Sequence, residues 1–154
     1  MTQPTPTEAM NRIFSEKGRF QRWLKVEASL ARVQASLSII PKEAADAISR
    51  KADAELLDLK RYKEMYQQTG HPMVAMLRLF QPIVEWGFGQ YIHLGATTQD
   101  IMDTAMMLAL KEAHGIIHES LRRIESDLLD LAEHHADTLM VGRTHAVQAL
   151  PITF

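Results

Sequence analysis

A long, proline-free segment dominates this sequence. Residues 99–135 contain no proline and a single glycine, Gly115. Within the segment, apolar residues recur in steps of three and four, at Leu110, Ala113, Ile117, Leu121, Ile124, Leu128 and Leu131. This spacing predicts one continuous helix with a heptad-like apolar stripe. About 37 residues at ~1.5 Å rise per residue would form a rod of roughly 55 Å.

A helix of that length needs other long helices to cover its stripe. They must come from the same chain or from other subunits. Residues 146–154, which follow the return loop after the helix, are too few to supply one. The sequence therefore favours an obligate assembly or a truncated chain, and Pro151 stands where a new helix would begin.

The residues before the long segment predict a small helical domain. Residues 1–7, with two prolines and three threonines, are expected to form an extended arm, and a short helix could start at Thr7. Pro82 should kink or end the last of the four helices that follow, and 86–89 should be a turn. The four helices are predicted at about 16–38, 41–53, 58–68 and 73–84. The predicted fold is all-α, with a helical N-terminal domain at 1–96 and the first long helix of a central bundle domain at 97–154.

Composition excludes several functional classes. The net charge of −2 gives no reason to expect nucleic acid or an anionic membrane as partner. The absence of cysteine excludes disulfides and thiolate chemistry. No apolar run approaches the ~20 residues of a membrane span, and the N-terminus lacks the features of a secretion signal. We therefore expect a cytoplasmic protein without a membrane or nucleic-acid partner.

The segment just before the long helix has the composition of an anion site. Thr97, Thr98 and Gln99 follow a glycine, and they can donate hydrogen bonds where a helix dipole is positive. His93 lies two residues before Gly95. A carboxylate or phosphate would suit this loop. The simpler alternative is that a threonine only caps the helix.

Two further segments carry candidate functional groups. His71 lies between a glycine and a proline at a predicted helix break, where a histidine can also be a plain capping or surface group. Arg143, Thr144 and His145 follow Gly142 after the long helix, and they suit an acidic substrate and a proton transfer unless they form only a salt-bridged turn. His114 and His118 have metal-ligand spacing, but no third ligand is near in sequence. No metal and no cofactor is predicted.

Taken together, these motifs resemble the fumarase/aspartase superfamily, and most closely the adenylosuccinate lyases. The resemblance covers nearly the whole chain and rests on the order of its segments. These are residues 19–27, 40–43, 91–95, 97–105, 142–145 and 151–154.

The resemblance implies an all-α homotetramer built around long helices. It also implies a lyase that eliminates an amine from a small anionic dicarboxylate of the succinyl type and releases fumarate, as in purine biosynthesis. His145 matches the general acid of the family, and His71 a second histidine of the reaction. The substrate-binding positions are His93, Thr97, Thr98, Gln99, Arg143 and Thr144. The family's base, a serine in a mobile Gly-Ser-Ser loop, has no counterpart in this sequence, so the chain alone is expected to be inactive.

Three departures from the family pattern weigh against a nucleotide substrate. Pro4 and Thr5 stand about where adenylosuccinate lyases carry an Arg-Tyr pair, Pro72 replaces an aspartate, and Val147 replaces a glutamine. The alternatives are a 3-carboxy-cis,cis-muconate cycloisomerase, an argininosuccinate or other amino-acid lyase of the superfamily, and a non-catalytic helical assembly module. Cycloisomerases typically lack histidines matching His71 and His145, which favours elimination.

Overall fold

The structure, a computed structural model, describes residues 4–153 and is mainly helical within them. Short 3-10 segments at Ala54–Leu56, Gln81–Ile83 and Glu85–Tyr91 connect the helices. The helices are α1 (Pro6–Ile13), α2 (Glu16–Ser36), α3 (Lys42–Lys51), α4 (Leu59–Thr69), α5 (Pro72–Phe80) and α6 (Thr98–His135). A hairpin of β1 (Met140–Thr144) and β2 (Val147–Ile152) follows. None of the described helices is both long and apolar enough to cross a membrane.

Contacts divide the chain into two compact units, one ending at Ala113 and the other beginning at His114. The division falls inside α6, because the first turns of this helix pack on the helices before it. The domain boundary at residues 96 and 97 concerns family architecture and stays a prediction.

Helix α2 supplies the centre of the first unit. Phe20, Trp23 and Leu24, spaced by three and four residues, are buried on one face. Val33 is 56% exposed, whereas its neighbour Gln34 is buried. Gln34 lies seven residues after Glu27, which is two helical turns and therefore the same face, whereas Val33 is rotated about 100° away from Gln34.

The N-terminal helix begins earlier than expected. Pro6 and Thr7 are helical rather than extended, because proline suits the first turn of a helix and Thr5 forms a capping box with Glu8. The prediction for residues 1–3 lies outside the described residues. Helix α5 ends at Phe80 rather than Val84, two residues before Pro82, as the rigid proline ring requires. In the segment predicted as a turn, Trp86 and Gly87 have positive φ.

Helix α6 runs without interruption from Thr98 to His135, which confirms the prediction of one long helix. Its buried residues are Ile101, Ala105, Ala109 and Ala113, which recur every four residues. Ala113 was assigned to the apolar stripe but belongs to this buried face. The large stripe residues are 45–58% exposed within the chain, so their packing on other long helices stays a prediction. They are Leu110, Ile117, Leu121, Ile124, Leu128 and Leu131.

The segment after α6 corrects the expectation of a loop followed by a helix at Pro151. Strands β1 and β2 form an antiparallel hairpin in which Met140 pairs with Ile152 and Val141 with Pro151. A two-stranded sheet has only edge strands, where a proline is tolerated. Phe154, the last residue of the expected helix start, lies outside the described residues. The helical fold class is confirmed, with this hairpin as its one strand element among residues 4–153.

Candidate active site

The loop before α6 is held by two residues of α2. The backbone N–H of His93 donates to Glu27 Oε2 at 3.0 Å, and His93 Nδ1 lies 2.7 Å from Glu27 Oε1. Seven residues along the same face of α2, Gln34 Nε2 donates to the carbonyl oxygen of Leu94 at 2.7 Å. The loop is therefore fixed at two successive residues by the buried face of α2.

The backbone of this loop is strained at His93. Its φ is 65°, in the left-handed region that non-glycine residues rarely adopt, and Gly95 has a φ of 70°. Such a conformation persists when surrounding contacts enforce it. At His93 both the backbone N–H and the ring are bonded to one carboxylate, which supplies that constraint.

Glu27 is a buried carboxyl group, only 1% exposed. Burial raises its pKa, and the hydrogen bond and positive charge of the His93 ring oppose the increase. A carboxyl that accepts a backbone N–H and meets an imidazole is satisfied at both oxygens. The carboxyl and the ring thus form a buried polar pair beneath the loop.

The threonines and the glutamine lie at the start of α6. Thr98 is the first residue of the helix and is half-buried, and Thr97 precedes it and is exposed. The free N–H groups and the positive end of the dipole are at this point. Gln99 Nε2 donates to Asp103 Oδ1 at 2.7 Å, along the exposed side of α6. The predicted binding residues 97–99 are therefore together and accessible.

His71 caps α5. Its Nδ1 accepts the N–H of Val74 at 3.4 Å, so the capping role considered from the sequence is real. The next residue, Pro72, and Met102 of α6 line the same cavity of about 280 Å³. The starts of α5 and α6 therefore lie beside one cavity, although His71 is not among the residues that line it.

The remaining predicted residues lie on the hairpin of the second unit. Arg143 and Thr144 are in β1, and His145 and Ala146 form the two-residue turn with φ of 48° and 60°. Positive φ at both positions is the geometry of a type I′ turn, which normally favours Asn-Gly. All four residues are exposed. The hairpin thus brings an arginine, a hydroxyl and an imidazole together at one tip.

The histidines of α6 show no metal site. The rings of His114 and His118 stack with centroids 6.0 Å apart. Residues 4–153 contain no group of three or more side chains placed to bind a metal ion.

Glu27 is not among the site residues predicted from the sequence. It lies on the buried face of α2, one turn after Trp23 and Leu24. A carboxylate at a position that helical periodicity buries was the available signal, because buried acids need partners. Its partner, 66 positions away along the chain, was not evident from spacing.

Comparisons with known proteins identify the family that the sequence matches. The sequence matches the family described as Lyase over residues 1–154. It is 45% identical over 148 residues to an adenylosuccinate lyase from Methanocaldococcus jannaschii, covering 96% of this chain and 32% of that protein. It is 38% identical to an N-acetyl-S-(2-succino)cysteine lyase from Enterococcus italicus, covering 96% and 32%.

A solved structure shows the same fold. The crystal structure of a 3-carboxy-cis,cis-muconate lactonizing enzyme from Pseudomonas putida matches with a TM-score of 0.87 and 36% sequence identity. The match covers 94% of this chain and 34% of that one. The chain thus spans about a third of the length of the relatives it matches.

The mainly helical fold and the matches to lyases point to one class of protein. The chain belongs to the Lyase family and, with it, to the fumarase/aspartase superfamily.

Proposed function

We propose that this chain forms part of an enzyme that cleaves a carbon–nitrogen bond in a succinyl substrate and releases fumarate, as an adenylosuccinate lyase does. The observation that carries the proposal is the loop at residues 93–98. The buried face of α2 fixes its backbone, and the loop leads directly into the positive end of a 38-residue helix. A rigid donor-rich loop at such a point suits the carboxylates of a small anionic dicarboxylate.

The reaction assigns different tasks to the predicted residues. A base removes a proton next to a carboxylate, and His145 protonates the nitrogen as its bond to carbon breaks. His71 is the second histidine of the reaction. His93, Thr97, Thr98, Gln99, Arg143 and Thr144 bind the substrate, because donors and cations stabilise the negative charge that develops.

The working enzyme is proposed to be a cytoplasmic homotetramer without a cofactor. The exposed apolar stripe of α6 supports assembly through long helices. The base is proposed to lie outside these 154 residues, so the chain by itself should not turn over substrate.

A cycloisomerase is the second candidate, and the close structural match to the lactonizing enzyme favours it. The Enterococcus relative adds a second kind of leaving group, the thiol of N-acetylcysteine attached to a succinyl unit. A non-catalytic helical module would lack all these activities.

A substrate panel decides between these functions. The full-length protein is assayed for fumarate release from adenylosuccinate, argininosuccinate and N-acetyl-S-(2-succino)cysteine, and for loss of 3-carboxy-cis,cis-muconate. We expect turnover of about 1–10³ per second with a C–N substrate. Turnover of the muconate alone would establish the cycloisomerase, and no turnover of any compound would favour the assembly module. The 154-residue chain is the matched control.

A further inference from the structure

We propose that Glu27 is a positioning residue that fixes the His93 ring with its proton on Nδ1, so that Nε2 is the nitrogen presented to the substrate. The proposed function bears on one part of this inference alone, the identity of the substrate group that Nε2 contacts. The hydrogen bonds of the Glu27–His93 pair carry the inference.

Both oxygens of Glu27 are committed to the same residue. Oε2 accepts the backbone N–H of His93 at 3.0 Å, a group that can only donate. Oε1 lies 2.7 Å from Nδ1, a distance typical of a charge-assisted bond. An ionised carboxylate accepts both bonds, which places the intervening proton on Nδ1.

The Glu27 carboxylate fixes both the backbone and the ring of His93. It bonds the N–H of a residue whose φ is 65°, and it also holds that residue's side chain. Gln34 holds the following carbonyl oxygen, of Leu94. With the backbone and Nδ1 both fixed, the ring has little freedom to rotate.

Nε2 lies on the opposite side of the imidazole from Nδ1. The His93 side chain is 16% exposed, whereas that of Glu27 is 1% exposed. With Nδ1 committed to Glu27, Nε2 is the ring nitrogen left to contact a substrate. This is the relation between an orienting carboxylate and a functional histidine that enzymes and metal sites use repeatedly.

The position of the proton is directly measurable. Full-length protein labelled with ¹⁵N-histidine is examined by NMR at neutral pH, and the His93 signals are assigned by their loss in His93→Gln. We expect a protonated Nδ1 in the unmodified protein. In Glu27→Gln, which preserves size but removes the charge, the ring nitrogens should shift towards exchanging tautomers.

Two variants serve as matched controls. Gln34→Leu loosens the loop without touching the ring, and Glu85→Gln removes an exposed glutamate that pairs with Lys51. Both should keep the wild-type proton position on His93. The proposal is overturned if, in the wild-type protein, Nδ1 of His93 is unprotonated while Nε2 is protonated. It is also overturned if Glu27→Gln leaves the ring signals of His93 unchanged. If Glu27→Gln does not fold, the wild-type spectrum decides alone.

An activity measurement separates this proposal from the proposed function. With the C–N substrate identified by the panel, Glu27→Gln should lower kcat/KM by roughly 10–100-fold, the usual cost of losing the partner that orients a metal-bound histidine. Glu27→Asp, which keeps the charge, should recover part of the loss. If no substrate releases fumarate from wild type, the proposed function fails while the NMR result still decides the role of Glu27.

Discussion

Two histidines stand out because their backbones are left-handed. His93 and His145 have φ of 65° and 48°, in a region that costs energy for residues with a Cβ. Strain of this kind concentrates at functional sites, where the surrounding structure enforces it. At His93 the enforcing group is Glu27, and at His145 it is the two-residue turn between paired strands. Both positions were chosen from sequence for their chemistry, and their functional roles stay predictions.

Replacement of His145 tests its role as the acid. In the full-length enzyme, His145→Gln keeps a similar size and a hydrogen bond but removes a group that can give a proton at neutral pH. We expect kcat to fall by roughly 10²–10⁴-fold with less effect on substrate binding. Single-turnover kinetics measures the effect, and His118→Gln on α6 is the control. If chemistry proceeds at nearly the wild-type rate, the acid is another residue, with His71 first to be tested.

Replacement of Thr98 tests a binding role. Thr98→Val in the full-length protein removes one hydroxyl donor at the start of α6 while preserving the branched shape. We expect substrate affinity to weaken by roughly 1.5–3 kcal/mol, the worth of a hydrogen bond to a charged group. Equilibrium binding measures the change, with Thr104→Val, exposed on the same helix, as control. Unchanged affinity with a reduced kcat would instead place this donor on the reaction intermediate.

At the scale of elements, sequence patterns predicted the structures that depend on residues close together in the chain. The apolar spacing and the absence of proline predicted all of α6, and Pro82 predicted the end of α5, because these signals act within a few residues. The hairpin was missed since its strands are short, and its His-Ala turn lacks the usual Asn-Gly signal. The candidate site shows the same limit. Its loop was recognisable from Gly95 and the threonines, but its link to Glu27 depends on tertiary packing.

The capping box of α1 should be sensitive to acid. The backbone N–H of Thr5 donates to the Glu8 carboxylate at 2.8 Å, and this bond, reinforced by the Thr5 hydroxyl, lowers the Glu8 pKa below its ordinary value of 4.5. A carboxyl whose pKa is lower in the folded state stabilises that state at pH values above its ordinary pKa. This stabilisation is lost as the pH falls through the pKa of the folded state. We expect the amides of α1 to exchange faster, relative to those of α2, as the pH drops below about 4.5.

Amide hydrogen exchange at a series of pH values measures this effect, with Glu8→Gln as the matched variant. The variant should retain the helix start but lose the extra pH dependence of α1. An identical pH dependence in both proteins would show that the Glu8 carboxylate does not stabilise the helix start.

At the scale of the whole molecule, α6 has two faces with different residue types. Its first turns bury small residues, Ala105, Ala109 and Ala113, which allow close packing on the first unit. The large side chains of the stripe continue beyond them and are half-exposed. Burying the exposed half of each against another helix would contribute roughly half of the 1.5–3 kcal/mol that complete burial of such a side chain is worth. A row of such residues along one helix is typical of subunit interfaces.

A single charge in this stripe should therefore disrupt assembly. Leu121 is 58% exposed in the chain, and Leu121→Asp would place an unpaired carboxylate between packed helices of the assembled full-length protein. We expect light scattering to show a shift from the tetramer to smaller species, with loss of fumarate release. Arg122→Asp, the adjacent exposed position, is the control and should keep the wild-type mass. Because the two variants introduce the same side chain one residue apart, a difference between them locates the interface on the stripe. An unchanged mass for Leu121→Asp would place the subunit contacts on another surface.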